Sequence, residues 1–408
     1  VHFKKLKKRL FHCLFGNRNM KFNKIPNTNL NVSQICLGTM TWGSMQNTEQ
    51  DGFEQMDYAV SKGINFFDTA ELYSIPPTKE TCGATSRIIA NWLKKTKKRD
   101  EIIIADKVTG RSGMNWIRPG ENETRLNKKQ INTAIDNSLK NLQIDHVDIY
   151  QLHWPDRPLN VFSGLEYEHT ETDDVVPILE TMEAMASLIK SGKIKYYGLS
   201  NETSWGVMRH LSESSKHKLT RCKTIQNPYS LLNRLFEINL AEVSMRENVG
   251  LLAYSPLGFG FLSGKYLNGT PENSRMKLFP NFVRYTNENC FKATKLYQEL
   301  AHSLGLTITE MAIAFVNHQE FVSSTIIGAT TIDQLEENIN AFDVMLTDSV
   351  FEEINKMSFS FKSTSASFIN NTIGTWYSMI FMSRLMEFIV PVSFVHSDGD
   401  FPTSSKVI

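Results

Sequence analysis

The chain contains 408 residues, of which 41% are apolar and 21% are charged, and its formal net charge is +1. This composition is typical of a globular protein and excludes a disordered chain, a collagen-like chain and a small disulfide-rich domain. The charge is uneven, because residues 1–24 hold eight Lys or Arg and no acidic residue. The rest of the chain has seven more acidic than basic residues. A nucleic-acid partner is therefore not expected.

The five cysteines are odd in number, lie at least 23 positions apart and include no CxxC pair. This usage is typical of reduced thiols and indicates a cytoplasmic location. The ten histidines are also scattered, and no His, Cys and carboxylate residues have the spacing of a metal site. A metal is therefore not expected.

Residues 1–19 form a basic extension in front of Met20. They contain no A-x-A cleavage site and no clean apolar segment, so a secretory signal is poorly supported. Two interpretations stay open. The extension is either an acid-free transit peptide or the surplus of a chain whose natural start is Met20.

Residues 20–360 are predicted to form a single domain, because no Pro- or Ser-rich linker divides them. They begin with a predicted β-hairpin of residues 22–25 and 32–35, whose turn contains Pro26, Asn27 and Asn29. Eight short runs of apolar and β-branched residues are then typical of buried strands. These runs are residues 35–37, 64–67, 102–105, 147–152, 195–199, 224–225, 250–253 and 324–327.

Helical periodicities lie between these runs, with apolar residues three or four positions apart, as at 131, 135, 139 and 142. Eight strand–helix units favour an α/β fold, a closed (β/α)8 TIM barrel, over an open doubly wound sheet. The N-terminal hairpin is expected to plug the bottom of this barrel. Residues 256–286 are rich in Gly, Pro, Asn and Ser, which predicts a long loop after the seventh strand. We expect this loop to act as a lid that becomes ordered when a ligand binds.

Residues 361–408 form a second extension, rich in Ser, Thr and Asn and then apolar over 376–395. Arg384, Glu387 and Pro391 interrupt the stretch that is long enough to span a bilayer, so a membrane anchor is not expected. The sequence indicates no role for this segment.

Polar side chains follow the predicted strands at their carboxyl ends. Active sites of TIM barrels lie at this rim, so a single catalytic mouth is expected. Taken singly, Asp68 is consistent with a helix cap, Lys107 with a solvated strand end and His153 with a core histidine. Their shared position favours a site. The full set of strand ends is Asp68, Lys107, His153, Ser200 with Asn201, Gln226 with Asn227, and Tyr254 with Ser255.

Tyr73 lies five residues after Asp68, in a loop expected to fold over the rim. A phenol donates its proton poorly near neutral pH unless a cation lowers its pKa from about 10, and Lys107 can supply that cation. Asp68 can hold Lys107 protonated, and His153 can orient a carbonyl oxygen. The set has no nucleophile with a paired base, which argues against acyl transfer. A proton delivered to a carbonyl oxygen requires hydride at the carbon, and because no side chain supplies hydride, a nicotinamide cofactor is implied.

Several of these segments resemble motifs of the aldo-keto reductase family. Residues 63–73 (GINFFDTAELY) are similar to its GxxxxDTAxxY signature, and residues 148–155 (DIYQLHWP) to its strand-four motif. Further similar segments occur in order along the chain: 198–201, 225–230, 252–258 and 327–331 leading to Gln334. The details of 201–203, 225–233 and 258–267 are similar to the bacterial Tas-like branch, described as NADP(H)-dependent. That branch also resembles the β-subunits of voltage-gated potassium channels.

The resemblance implies an NADPH-dependent enzyme that reduces aldehydes and ketones to alcohols by hydride transfer. It implies a catalytic tetrad of Asp68, Tyr73, Lys107 and His153, with Tyr73 as the proton donor. It also implies cofactor contacts: Ser200, Asn201 and Gln226 on the nicotinamide carboxamide, Tyr254 on its ring, Ser255, Leu257 and Gly258 beside the pyrophosphate, Lys265 and Arg275 on the 2′-phosphate, and Gln334, Glu337 and Asn338 at the adenosine.

Two cations and a helix N-terminus suit a dianionic phosphate, which favours NADPH over NADH. Without the resemblance, Lys265 and Arg275 would be interpreted as an ordinary solvated pair. Residues 258–264 (GFGFLSG) are not a dinucleotide-binding GxGxxG, because the sixth position is Ser263 and no βαβ unit surrounds it. We interpret them as the start of a loop that clamps the cofactor.

The sequence indicates the substrate less clearly than the reaction. Trp42, Trp154 and aromatic residues of the 156–175 and 256–286 loops fit either a pocket for apolar aldehydes or ketones or ordinary packing. The carbonyl substrate is expected to be a small molecule, and both a monomer and a homo-oligomer are consistent with the sequence.

Two other functions are also consistent with the sequence. A redox-sensing accessory protein would bind NADPH and regulate a partner, as the resemblance to channel subunits allows, and it would keep the same tetrad. A barrel hydrolase would use Asp68 and Glu71 as paired carboxylates. Turnover of NADPH separates the first alternative from a reductase, and binding of NADPH argues against the second.

Overall fold

A computed structural model describes residues 20–160, 162, 167–280 and 283–360. The two extensions predicted at 1–19 and 361–408 lie outside the described residues. The chain enters the fold through an antiparallel hairpin of β1 (Phe22–Lys24) and β2 (Asn31–Ser33). This is the hairpin that the sequence predicts.

Eight parallel strands follow and close into a barrel, so the predicted (β/α)8 fold is confirmed. Each strand pairs with the next along the chain, and the last pairs with the first. The barrel strands are β3 (Ile35–Gly38), β4 (Phe66–Asp68), β5 (Ile103–Val108), β6 (Val147–Leu152), β7 (Ile194–Ser200), β8 (Thr224–Pro228), β9 (Gly250–Tyr254) and β10 (Val322–Ile327).

Helices cover the outside of the barrel, and six of them begin at a side-chain cap. Thr48 and Asp51 form a reciprocal capping box at α1, and Thr203 caps α5 through the backbone of Gly206. The helices are α1 (Glu49–Ser61), α2 (Ala84–Thr96), α3 (Lys128–Leu142), α4 (Ile178–Lys190), α5 (Ser204–His217), α6 (Leu240–Glu247), α7 (Arg275–Leu278), α8 (Glu288–Ser303), α9 (Ile308–Asn317), α10 (Ile332–Asn340) and α11 (Asp348–Ser360).

The core has an outer and an inner layer. The outer layer packs alternate strand residues against the helices. In the inner layer, Ile25, Leu30 and Val32 of the hairpin pack against inward-facing strand residues such as Phe66 and Ile149. The hairpin therefore closes the amino-terminal end of the barrel, as expected, and the polar strand ends lie at the opposite rim.

Several predicted strand boundaries differ from the structure, and those of β4 and β5 show why. Asn65 precedes β4: its side chain and its N–H bind Ser33 of the hairpin, and only its carbonyl oxygen accepts a bond from β5, from the Ile103 N–H at 2.7 Å. Strand β5 continues through Asp106 and Lys107. A search for runs of apolar residues ends at these two charged residues and therefore misses the last part of the strand.

None of the described helices is by itself long and apolar enough to cross a membrane. Helices α8 and α9 meet that length and hydropathy only together, across a bend of 94°.

Asp106 is a buried carboxyl on the outer face of β5, because its neighbour Lys107 points into the barrel. Its side chain lies near Ser138 of α3, and the residue is fully buried. Within the described chain, neither carboxyl oxygen meets a hydrogen-bond donor in good geometry. Burial raises the pKa of Asp106 from 3.8 to about 7.

We expect Asp106→Asn to stabilise the protein more at pH 8 than at pH 5. Because the folded-state pKa is raised, the wild-type contribution is complete below about pH 4 and is lost as the pH rises through about 7. The gain in unfolding free energy at pH 8 should exceed that at pH 5 by about 2–3 kcal/mol. Urea titrations at the two pH values measure it, and an equal effect at both would contradict the assignment.

Candidate active site

A cavity of about 1400 Å³ opens at the carboxyl end of the barrel. It is larger than the roughly 300–1,000 Å³ of a pocket for one small ligand. Three of the four predicted catalytic residues line it, namely Asp68, Tyr73 and His153, whereas Lys107 lies fully buried behind them. The predicted cofactor residues that line it are Asn201, Gln226, Tyr254, Ser255, Leu257, Lys265, Arg275, Gln334, Glu337 and Asn338.

Lys107 and Asp68 form a buried ion pair at the base of the cavity. Lys107 Nζ donates to Asp68 Oδ2 at 2.6 Å and to the backbone oxygen of Thr69 at 2.8 Å. Gln226 Nε2 donates to the other Asp68 oxygen at 2.8 Å, which satisfies the carboxylate from a second strand. Burial by itself lowers the pKa of Lys107, but the nearby Asp68 carboxylate acts together with Tyr73 and Asp106 to outweigh burial, and the net pKa is raised. Lys107 therefore stays charged.

Tyr73 lies directly over this ion pair. Lys107 Nζ is 3.5 Å from the Tyr73 hydroxyl and 4.8 Å from the ring centroid. The expectation that the cation lowers the pKa of Tyr73 is only partly met. Burial raises this pKa, Lys107 opposes the rise, and the net pKa is above 10. The phenol is thus protonated at neutral pH, and Lys107 is positioned to stabilise the phenolate that forms when the proton leaves.

His153 faces Tyr73 edge-on, with ring centroids 5.8 Å apart, and packs on Trp154 at 4.9 Å. Burial, with a contribution from Lys107, lowers the pKa of His153 well below 6.5. Its Nδ1 atom is buried and has no hydrogen-bond partner among the residues described. The imidazole is therefore neutral at neutral pH and can orient a polar ligand atom beside the Tyr73 hydroxyl.

Glu71 and Arg118 hold the loop that carries Tyr73. Arg118 is 1% exposed and binds both Glu71 carboxylate oxygens, at 3.0 and 2.7 Å. Its remaining donors reach the backbone oxygens of Thr109 and Arg125 and the Gln130 side chain. Glu71 is thus occupied by Arg118, and Asp68 by Lys107. A hydrolase that uses Asp68 and Glu71 as paired carboxylates is not supported by this arrangement.

A hydrogen-bonded wall of amide and hydroxyl groups lies beside the tetrad. The Tyr254 hydroxyl donates to Asn201 Oδ1 at 2.7 Å, and Asn201 Nδ2 donates to the backbone oxygen of His153 at 2.9 Å. Ser200 donates to the backbone oxygen of Gln226 and lies behind the wall, outside the residues that line the cavity. The wall offers both donors and acceptors, which fits an amide group of a ligand.

Beyond β9 the chain turns tightly over the cavity. Ser255 and Gly258 have positive φ angles, and the Gly258 amide donates to the Ser255 oxygen at 2.9 Å. Leu257 lines the cavity, whereas Gly258 is buried within the turn. The following segment, Gly258–Ser263, consists of short 3₁₀ turns broken by a kink at Phe259 and Gly260, whose φ angles are positive. The segment predicted to clamp the cofactor therefore starts as an ordered turn.

Lys265 and Arg275 line the same cavity, and burial lowers the pKa of both. Neither forms an ion pair with an acidic residue in the described part of the chain. On the opposite side, α10 presents Gln334, Glu337 and Asn338, the predicted adenosine set. Uncompensated cations in a cleft are suited to an anionic ligand, and this donor set fits the phosphates of a dinucleotide.

Gln151 and Arg118 contribute to the site but are not among the residues predicted from the sequence. Gln151 donates to Asp68 at 3.4 Å. It lies on β6 two residues before His153, and this spacing could have indicated that it faces the same site. Arg118 has no such signal, because 47 positions separate it from Glu71. Trp42 is a packing residue, fully buried with its indole nitrogen bound to Gln55.

The sequence pattern of the Aldo/keto reductase family matches residues 34–358. The chain is 50% identical over 338 residues to Protein tas of Escherichia coli (strain K12), covering 82% of this chain and 96% of that protein. It is 30% identical over 338 residues to the uncharacterized oxidoreductase YrpG of Bacillus subtilis (strain 168), covering 82% and 95%. It is 34% identical over 274 residues to an aldo-keto reductase of Babesia bovis, covering 63% and 95%. The residues matched by the family pattern include all eight barrel strands.

We expect Arg118→Met to destabilise the protein by about 3–5 kcal/mol, because it leaves the buried Glu71 carboxylate without its cation. The double variant Glu71→Gln with Arg118→Met also removes the unpaired carboxylate. Its loss of unfolding free energy should be smaller than that of Arg118→Met by at least about 1 kcal/mol. Urea unfolding of the two variants and the wild type measures both effects. A double variant less stable than Arg118→Met would contradict the ion-pair assignment.

Proposed function

The chain belongs to the aldo/keto reductase family, and from this premise we propose that it is an NADPH-dependent enzyme that reduces aldehydes or ketones to alcohols. Family membership establishes the coarser function, an oxidoreductase acting on carbonyl compounds. The contact of Lys107 with both Asp68 and the Tyr73 hydroxyl carries the finer proposal. This contact brings together the acid Tyr73, the cation Lys107 and its counter-ion Asp68 in one buried cluster.

In the proposed reaction Tyr73 is the general acid. Its hydroxyl donates a proton to the carbonyl oxygen of the substrate, and the charge of Lys107 stabilises the phenolate left behind. Asp68 keeps Lys107 protonated and in place, and the neutral His153 orients the carbonyl oxygen. NADPH, when bound, supplies the hydride that reduces the carbonyl carbon. A proton from solvent restores Tyr73.

The residues proposed to hold NADPH follow the cavity from the tetrad outward. Uncompensated positive charge at Lys265 and Arg275 supports the 2′-phosphate at that end. The hydrogen-bonded wall supports the carboxamide at the other end. The proposed holders are Ser200, Asn201 and Gln226 for the carboxamide, Tyr254 for the ring, Ser255, Leu257 and Gly258 for the pyrophosphate, Lys265 and Arg275 for the 2′-phosphate, and Gln334, Glu337 and Asn338 for the adenosine.

We further propose that residues 20–360 act as one reductase domain in the cytoplasm. Cys36, Cys82 and Cys222 form no disulfide within the described chain, which is consistent with a reducing compartment. Small carbonyl compounds are the proposed substrates, and Trp154, Phe162 and Tyr167 give the cavity an aromatic wall suited to apolar ones.

We expect Tyr73→Phe to lower kcat for NADPH-dependent reduction of 4-nitrobenzaldehyde by about 100-fold or more, because the proton donor is removed. Quenching of protein fluorescence by NADPH should be nearly unchanged. Tyr196→Phe is the matched control, since its hydroxyl binds Asn29 of the hairpin at the far end of the barrel. Wild-type turnover equal to that of Tyr73→Phe, with NADPH still bound, would favour an accessory protein over an enzyme.

We expect Arg275→Met to weaken NADPH binding by about 10- to 100-fold while changing NADH binding by less than about threefold. The variant keeps the aliphatic stem and removes the charge that faces the 2′-phosphate. Dissociation constants from fluorescence titrations with the two cofactors measure the ratio. Equal weakening of both cofactors would place Arg275 away from the 2′-phosphate.

A further inference from the structure

A third cation, Arg284, lines the cavity in addition to Lys265 and Arg275. These three are the Lys and Arg residues among its described lining, and Arg284 too has no acidic partner within 4.0 Å in that part of the chain. Arg284 is not among the predicted cofactor residues. Its charge is not used by the tetrad.

Other arginines near the cavity are neutralised. Arg157 pairs with Glu202, and Arg125 binds Asp156 at 2.8 Å and Asp174 at 2.7 Å. These pairs are structural links in which both charges are satisfied. A partly buried arginine without an acid is costly unless a ligand supplies the anion. The distribution of ion pairs therefore separates Arg284 from the structural arginines.

One contact of Arg284 lies beside the predicted cofactor residues. Its guanidinium carbon is 5.4 Å from the centroid of the Phe259 ring, and that of Arg275 is 5.3 Å from the same centroid. Both cations therefore lie against the same aromatic ring. Burial lowers the pKa of Arg284, but the adjacent phenols of Tyr254 and Tyr285 outweigh it and the net pKa is raised.

Arg284 also links two loops across the mouth. Its Nε and Nη2 atoms donate to the backbone oxygen of Phe162 at 3.3 and 3.0 Å. Phe162 in turn packs edge-on against Trp154, with centroids 5.5 Å apart. The guanidinium has five N–H donors, of which two bind Phe162 and others lie close to the hydroxyls of Tyr254 and Tyr285. Arg284 therefore offers a ligand its positive charge and the donors that these two hydroxyls do not take.

We propose that Arg284 binds the pyrophosphate of the dinucleotide, beside Arg275 on the 2′-phosphate. This inference rests on the proposed function. In NADPH both anions are attached to the same ribose, at its 5′ and 2′ positions, which matches two cations that share one aromatic ring. Arg284 thereby provides affinity for NADPH and NADH alike, whereas Arg275 provides the preference for NADPH.

The test compares Arg284→Met with the wild type in fluorescence titrations with NADPH and NADH. We expect both dissociation constants to rise by the same factor, about 10- to 100-fold, because both cofactors carry the pyrophosphate. Arg284→Lys should recover part of the affinity, since it restores the charge without the planar fork. Arg275→Met, in contrast, should change the ratio of the two constants.

Lys277→Met is the matched control for charge on the same loop. Lys277 lies on α7, its side chain is 52% exposed, and it pairs with Glu272 at 3.2 Å. It should leave both dissociation constants unchanged. Thermal unfolding of each variant without cofactor verifies that it is folded.

Three outcomes would overturn the inference. Unchanged affinity of folded Arg284→Met for both cofactors would show that the pyrophosphate does not contact it. A loss confined to NADPH would assign Arg284 to the 2′-phosphate instead. Unchanged cofactor affinity with a selective loss of kcat/KM for 4-carboxybenzaldehyde relative to 4-nitrobenzaldehyde would assign it to a substrate carboxylate. A wild-type protein that binds neither cofactor would instead refute the proposed function itself.

Discussion

Lys107 carries a positive charge into the centre of the barrel, where water does not reach it, and such a charge is stable only beside an opposite charge with its remaining donors satisfied. Asp68 on the neighbouring strand and the Thr69 backbone meet that requirement. Gln226 then satisfies Asp68 from a third strand. Contacts from three strands thus hold the buried cation of Lys107 in place, and Tyr73 and His153 are arranged around it.

Other cations around the site also have an opposite charge beside them, except those that line the cavity. Around the loops that frame the mouth, cations are paired: Arg118 with Glu71, Arg125 with Asp156, Arg157 with Glu202. Inside the cavity they are not paired within the described chain. Because leaving a partly buried cation unpaired costs stability, its retention points to a ligand that supplies the missing anions. The sequence charge of +1 could not reveal this, since it sums over paired and unpaired residues alike.

Much of the fold was predictable because a buried strand has a local signature. All eight apolar runs correspond to barrel strands, and family membership, first indicated by motifs such as residues 63–73, is confirmed by the family match. Strand β8 shows the limit. Only its first two residues were recognised, because the polar Gln226 and Asn227 end the apolar run by which a buried strand is identified. Gln226 binds Asp68, and Asn227 binds the Glu202 backbone. The roles assigned to the site residues stay predictions.

The sequence by itself determined the barrel, the family and which polar residues end each strand, because strand periodicity and spaced motifs are local properties of the chain. Only the tertiary structure decided that burial outweighs Lys107 and raises the pKa of Tyr73, since desolvation depends on every group packed around the phenol. It also decided that Arg118 occupies Glu71 and that Arg284 stays without an acid in the described chain. Both facts depend on contacts between residues far apart in the chain, which no local pattern encodes.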